Sequence, residues 1–371
     1  MIVGFYFWVK DVLTHRPVGA VARAVFLPLT LVGWGYGQLQ ALRRWAYRRG
    51  TLRADRPGVP VISVGNITAG GTGKTPCVEA VCRILVDQGL RPAVLSRGYG
   101  GRYRSAWAPV SDGTDLLMDP ADAGDEPVLL ARRLPGVPVL VARDRRVAAR
   151  EAVARYGAQV LVLDDGFQHL RLARDLDVVT LDARHPFGNG HCFPRGLLRE
   201  PPRALRDADL VLLTRTRRAN ANRLETVREA VHRFHPGVPV LRTTHAPLAV
   251  VDLHTGALLP LDHLKGLKVL AFAAIGTPEA FFEELQGLGA RVLEAVPYPD
   301  HHRYSEADLE QLENWARLMN AEALVTTEKD AVRLAPHLPL QRPVLATRIT
   351  MEVLDDPDTL AAQVCRAARG G

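Results

Sequence analysis

Cysteine and aromatic residues are scarce in this chain: four of its 371 residues are Cys and 6% are Phe, Trp or Tyr. Cys77, Cys82, Cys192 and Cys365 form no C-x-x-C pair and no zinc-ligand spacing, so neither a disulfide framework nor a zinc module is expected, and a reduced, cytosolic setting is the simplest reading. The 26 prolines and 31 glycines are spread along the chain, which removes the low-complexity and disordered classes. A membrane-crossing helix needs about 20 consecutive apolar residues; the uncharged stretch Ala24–Gly37 has 14. With 47% hydrophobic residues the chain can bury a substantial core, and its length suggests two domains.

Positive charge is concentrated at one end. Residues 1–56 hold nine Lys and Arg residues against Asp11 and Asp55, an excess of +7 that equals the net charge of the whole chain. The remainder is balanced, which leaves no basic groove to track a nucleic-acid strand. The same segment is the most apolar: Met1–Val9 is almost wholly so, and Trp34, Tyr36, Trp45 and Tyr47 suit the headgroup level of a bilayer. Arg43–Arg49 would lie against anionic phosphates. Charge and apolarity together predict an amphipathic membrane-anchoring segment over residues 1–50 that lies in the interface, rather than a secretory signal.

Beyond it, strands alternate with helices. Val59–Val64, Pro92–Ser96, Val137–Ala142, Gln159–Leu163, Asp177–Leu181 and Leu210–Thr214 read as strands, with helices over Lys74–Gln88, Asp125–Arg133 and Arg145–Tyr156 and a polar loop over Thr114–Gly124. This pattern implies a parallel sheet covered on both faces, hence an α/β fold with a P-loop-type domain over residues 51–235. A smaller α/β domain follows over 236–371, joined by a short β linker: Pro239–Ala246, Leu248–Asp252, Lys268–Ala273, Arg291–Val296 and Ala323–Thr326 read as its strands.

The strongest chemical signal is the stretch from Gly65 to Thr75, which follows a strand and opens a helix. Thr68, Ala69, Gly70, Gly71, Thr72, Gly73, Lys74 and Thr75 form a candidate phosphate-binding loop, in which glycines let backbone N–H groups turn inward around phosphate oxygens. Lys74 would reach the β- and γ-phosphates of ATP and the Thr75 hydroxyl would ligate Mg²⁺. Thr68 stands where the general pattern has its first glycine. The apolar strand Leu161–Leu163 ends in Asp164 and Asp165; an acid there faces the ligand crevice of a parallel sheet, so Asp164 is a candidate Mg²⁺ ligand and Asp165 could tune it or orient the attacking hydroxyl. For the acceptor side three local groups offer a base: Asp125-Glu126, Gln168-His169 and Asp300-His301-His302. Arg97, Arg102, Arg143, Arg145, Arg195 and Arg199 fall on expected loops, where guanidinium forks suit phosphate oxygens.

These residues carry a family resemblance. The strings SVGNITAGGTGKTP from Ser63, SRGYGGR from Ser96, GDEP from Gly124, LDDGFQHL from Leu163, FGNG from Phe187, LLREP from Leu197, the Asp300-His301 pair and TTEKDAVRL from Thr326 resemble those of the tetraacyldisaccharide 4'-kinases over nearly the whole chain. The resemblance implies ATP- and Mg²⁺-dependent phosphorylation of the 4'-hydroxyl of a tetraacylated disaccharide 1-phosphate in lipid A biosynthesis. It also implies two α/β/α domains with the site between them, and attachment to the cytosolic face of the bacterial inner membrane. By motif position Asp125 looks like the base, helped by His301; Lys74, Thr75, Asp164 and Asp165 keep the roles read above; and Glu126, His169, Arg199 and Glu200 fall in motifs of less defined role. A P-loop switch GTPase would want a guanine-reading N-K-x-D and a D-x-x-G after the second acid, and neither is found. A soluble small-molecule kinase would have a merely structural N-terminal helix.

Overall fold

The computed structural model describes residues 20–334 and 340–370, and the side chains within them except those of 20–25 and 218; the apolar run Met1–Val9 lies outside the described residues. Among these residues thirteen strands form one sheet: β1 (Val61–Gly65), β2 (Pro92–Ser96), β3 (Ala108–Ser111), β4 (Val139–Val141), β5 (Val160–Asp164), β6 (Leu176–Asp182), β7 (Leu210–Thr214), β8 (Val240–Asp252), β9 (Leu258–Leu259), β10 (Lys268–Ala273), β11 (Arg291–Pro297), β12 (Ala323–Thr327) and β13 (Val344–Val353). Their order is β11-β10-β12-β13-β8-β7-β6-β1-β5-β2-β4-β3, with β9 beside β8. β1 runs parallel between β5 and β6, so the chain leaving it enters the crevice at the carboxyl ends of the strands, where open α/β sheets bind ligands.

β8 belongs to both halves of the sheet. Its first residues pair parallel with β7 through Val240–Arg242, and the rest pairs antiparallel with β13. The sequence suggests a break at Pro247, yet the strand continues. Pro247 sits opposite Ile349, where the register of β13 shifts between Arg348 and Ile349, and a bulge tolerates a residue without an N–H.

Helices cover both faces, as a mostly parallel sheet requires. α2 (Lys74–Asp87) buries Cys77, Val78, Val81 and Leu85 between the sheet, α4 (Asp125–Arg133) and the C-terminal α10 (Pro357–Ala368); α3 (Pro120–Ala123) is one turn within the expected loop. On the opposite face α5 (Arg145–Tyr156) and α6 (Ala221–His232) pack through Ala148, Ala149 and Ala152 and through Val227 and Val231. In the second half α7 (Pro278–Gly287) and α8 (Glu306–Leu318) lie on opposite faces, and α9 (Glu328–Leu334) continues directly from β12.

The N-terminal α1 (Ala20–Arg48) is a 29-residue helix that contains Pro28. Gly33 and Gly37, one turn apart, lie on Cys192: a Cβ on Gly33 would stand 2.6 Å from the Cys192 carbonyl oxygen and one on Gly37 3.1 Å from its Sγ. Two turns on, Arg44 is 3% exposed. It donates through Nε and Nη2 to Glu200 at 2.7 and 3.0 Å, through Nη1 to Asp207 at 3.1 Å and through Nη2 to the Phe167 carbonyl at 3.0 Å. Arg44 therefore faces the protein, contrary to the expectation that every arginine from 43 to 49 faces a membrane: four of the five N–H groups of its guanidinium are taken up inside the protein. The opposite stripe of α1 leaves Leu27, Leu31, Trp34, Leu42 and Trp45 exposed. Among the described residues no helix is long and apolar enough to cross a membrane.

Candidate active site

The loop after β1 wraps the start of α2. Gly73, its last residue before the helix, has φ 84°, a left-handed conformation that glycine adopts without a Cβ clash. The loop is tied down from inside: Asn66 Nδ2 donates to Thr72 Oγ1 at 2.9 Å, that hydroxyl shares a bond with Thr180, and Thr214 Oγ1 donates to the Thr72 carbonyl at 2.9 Å. The Thr72 side chain is thus a strut of the loop. From outside, Ala69 N donates to the Leu197 carbonyl and Arg199 N to that of Ile67, so the Leu197–Glu200 segment runs along the loop.

Lys74 and the acids at the end of β5 meet at this point. Lys74 Nζ is 3.5 Å from Asp165 Oδ1, Arg199 Nη1 donates to Asp165 Oδ2 at 2.6 Å, and Arg145 Nη2 donates to the Asp165 carbonyl at 3.0 Å. Burial alone would raise the Asp165 carboxyl, but Lys74, Arg199 and Arg145 outweigh it and hold it below the usual range. Its φ of 54° is uncommon for a non-glycine residue and aims the carboxylate at those cations. Asp164 is the opposite case. It is 1% exposed, Ser96 Oγ donates to its Oδ2 at 2.9 Å, and its buried Oδ1 has no partner. Desolvation, with Glu126 and Asp165 nearby, pushes it up to about 7. A buried, half-satisfied carboxylate crowded by two others is a site for a cation, and Thr75 stands half-buried at the start of the adjoining helix. Among the described residues no three His, Cys, Asp or Glu side chains form a ready-made metal cluster.

The acceptor-side groups come from both halves of the sheet. Asp125 and Glu126 begin α4, and His301 lies on the turn after β11 with φ 62°. His301 Nδ1 is 3.5 Å from Asp125 Oδ2, and Arg333 of α9 donates to the same oxygen at 2.8 Å. Burial tends to raise Asp125, but the His301 hydrogen bond and the Arg333, His301 and Lys329 charges more than offset it, so the carboxyl lies below its ordinary value. Arg333 also donates to the His302 carbonyl at 2.9 Å and pairs with Asp330 at 3.2 Å. Asp330 is fully buried, and it accepts from Ala274 N, Tyr304 Oη and Thr327 Oγ1. His301 N in turn donates to the Ala274 carbonyl, so the turn that presents His301 is anchored on Asp330. His302 points elsewhere, stacked on Tyr298 and bonded to Asp308 at 3.0 Å.

The other expected residues separate. His169 is turned toward Asp144, Nε2 to Oδ1 3.8 Å, and burial among Arg145, Arg174 and Arg171 lowers it to about 3, so it is neutral near pH 7. Gln168 donates to the Asn66 carbonyl and buttresses the phosphate loop. Arg97 is exposed at the end of β2, with only its carbonyl engaged, by Tyr103. Glu200 is not brought to the crevice: Arg44 takes both of its oxygens.

Residues 25–369 match the family described as tetraacyldisaccharide-1-P 4'-kinase. The chain belongs to that family. A relative from Syntrophus aciditrophicus (strain SB) is 49% identical over 84% of this chain and 85% of its own. Another, from Anaeromyxobacter sp. (strain Fw109-5), is 47% identical over 96% of this chain and 95% of its own. Both are named tetraacyldisaccharide 4'-kinase. The crystal structure of the Aquifex aeolicus family member LpxK in complex with ATP superposes with a TM-score of 0.76 at 30% identity, covering 93% of this chain and 99% of that one.

Three members of the site escape sequence reading. Ser96 is the donor to Asp164, and Lys329 and Arg333 lie in a quoted motif whose spacing assigns them no partner. Lys329 and Arg333 are four residues apart on one helical turn, a signal that they share a face, but only the tertiary fold sets that face against Asp125.

Proposed function

We propose that this chain is an ATP-dependent kinase that phosphorylates the 4'-hydroxyl of tetraacyldisaccharide 1-phosphate in lipid A biosynthesis, at the cytoplasmic face of the bacterial inner membrane. The observation that carries this reading is the meeting of Asp125 with His301 beside the phosphate loop and the Asp164–Asp165 pair. The loop backbone and Lys74 bind the triphosphate, and Lys74 exchanges its contact with Asp165 for the β- and γ-phosphates. Asp164 and Thr75 would hold Mg²⁺, which when bound neutralises charge on the phosphates. Asp125, ionised at neutral pH, and His301 orient the acceptor hydroxyl and take its proton, while Arg333 fixes Asp125. Phosphoryl transfer needs little covalent help, so positioning and charge neutralisation supply most of the rate.

The exposed stripe of α1 supports attachment to the membrane surface. Beside it an open groove of about 620 Å³ is lined by Leu39, Leu42, Trp45, Arg48, Arg203 and Arg206, with Arg44 and Glu200 also on its wall. The acceptor's acyl chains would stay in or near the bilayer, with no nucleic acid involved. The test is transfer of label from γ-labelled ATP to the tetraacyl disaccharide 1-phosphate in detergent micelles with Mg²⁺, with Lys74→Ala as control. Label on the lipid, lost in the control, is expected. ATP hydrolysis without lipid labelling would point to a P-loop switch or a soluble small-molecule kinase instead.

A further inference from the structure

Among the described residues Lys74, Arg145, Arg199, Arg333 and Lys329 bring positive charge to the acids of the site, and the first four are committed. Lys74, Arg145 and Arg199 hold Asp165, and Arg333 is clamped between Asp125, Asp330 and the His302 carbonyl. The fifth is Lys329. Its ammonium lies 3.4 Å from His301 Nε2 and 3.8 Å from Glu126 Oε1, and the side chain is 25% exposed. Like the 3.5 Å contact of Lys74 with Asp165, both are longer than a charge-assisted bond, about 2.7–2.9 Å. The backbone that carries Lys329 is nevertheless fixed on both sides. Glu328 pairs with Arg348 at 2.7 Å and Arg133 at 2.9 Å, and Asp330 is held as described above. A pinned backbone with a loosely paired cation is what a residue awaiting an anionic ligand requires.

Its position says which anion. Lys329 stands between two groups of different role: His301, which with Asp125 would handle the acceptor hydroxyl, and Glu126, whose charge reaches Asp164 beside the phosphate loop. A phosphoryl group moving from a nucleotide on the phosphate loop to an acceptor held at Asp125 and His301 would pass beside this ammonium, while Lys74 comes from the loop after β1. We propose that Lys329 is a further catalytic residue, the cation that the second half supplies to the phosphoryl group in transit between ATP and acceptor.

In that step the acceptor oxygen forms a bond to the γ-phosphorus, and the bond from that phosphorus to the β–γ bridging oxygen breaks. The electron pair leaves with ADP and the hydroxyl proton passes to the Asp125–His301 pair. Lys329 stays protonated throughout and leaves Glu126 and His301 to contact the equatorial oxygens, where charge accumulates. The inference rests on the proposed kinase activity.

The experiment compares wild type with Lys329→Met, which keeps the apolar stem, Lys329→Ala and Lys329→Arg. It measures transfer kcat, acceptor KM, ATP affinity, melting temperature and the affinity for ADP with aluminium fluoride, a mimic of the phosphoryl group in flight. Expected for Met and Ala are a kcat at least ~100-fold lower, ATP affinity within about threefold of wild type, loss of the aluminium-fluoride enhancement of ADP binding, and partial recovery in the Arg variant. A folded Met or Ala variant with kcat within about threefold of wild type, or a defect confined to acceptor KM, overturns the proposal. If Ala does not fold, the Met variant decides. Wild type that transfers no label to the lipid would defeat the kinase reading itself, a result distinct from any ranking of the variants.

Discussion

At the scale of single residues the site is a set of carboxylates held in unlike states by unlike surroundings. Asp164 is raised to about 7 by burial and by Glu126 and Asp165. In the unfolded chain the same group would titrate near ~4. Between those values the folded protein binds a proton that the unfolded chain does not, so this residue lowers stability progressively as pH rises through the window and fully above it. Asp164→Asn should therefore raise the melting temperature at pH 8, without Mg²⁺ or nucleotide, by roughly 2–5 °C, raise it less at pH 5, and abolish transfer. Scanning fluorimetry at the two pH values checks the sign. Asp125→Ala and His301→Ala should each lower kcat by about 10²–10⁴ while ATP affinity stays near wild type; collapse of ATP binding would make them nucleotide ligands instead. The identity of these acids was legible in the sequence because motif and strand end coincide. Their ionisation was not, because it depends on groups about 40 positions away in the chain, as Glu126 is from Asp164.

At the scale of elements α1 is the most informative case. Its apolar and basic composition announced an interfacial helix, and its exposed stripe fits that reading. Composition did not distinguish Arg44 from Arg43, Arg48 or Arg49; helical phase did, by placing Arg44 on the same face as Gly33 and Gly37. Arg44→Ala leaves Glu200 without its buried cation, while Asp207 keeps Arg48 at 3.4 Å, and should cost roughly 3–5 kcal/mol, read by denaturant unfolding and by earlier proteolytic cleavage within α1. Gly33→Leu should free the same helix by steric means, because the Cys192 carbonyl leaves no room for a side chain. β8 shows the converse limit. Pro247 argued for two strands, and the bulge that accommodates it is a property of its partner β13, which local reading of residues 239–252 cannot supply.

For the whole molecule, the two halves of the sheet are joined covalently and hydrogen-bonded through β8, and electrostatically through a buried cluster. Arg133, at the far end of the helix that begins with Asp125, pairs with Glu79 of α2 at 2.7 Å and Glu328 of α9 at 2.9 Å. Arg133→Ala removes one of two cations from each carboxylate, leaving Glu79 to Arg83 and Glu328 to Arg348. It should destabilise the protein by roughly 1–3 kcal/mol and lower kcat more than it weakens ATP binding, because α4 and α9 set the spacing of Asp125 and Arg333. The proposed attachment to a bilayer is tested at this scale. Trp34→Asp together with Trp45→Asp should abolish co-sedimentation with anionic vesicles yet leave the melting temperature near wild type, since both side chains are exposed. Raising salt to ~1 M should weaken the wild-type interaction only in part, removing the arginine contribution and sparing the apolar one.

By itself the sequence determined the parallel α/β architecture, the phosphate loop, the acids at the end of β5 and the amphipathic start. Each is written locally: strand periodicity, a glycine-rich turn between strand and helix, and a coincidence of charge and apolarity within a few turns. The tertiary structure alone decided which acid meets which cation. It turned Arg44 inward to Glu200, set His169 beside Asp144, and brought His301, Lys329 and Arg333 across to Asp125 and Glu126. Apart from His169 and Asp144, 25 positions apart, those contacts join residues separated by about 150 to 210 positions, and at such distances only the path of the backbone through the sheet determines what touches what.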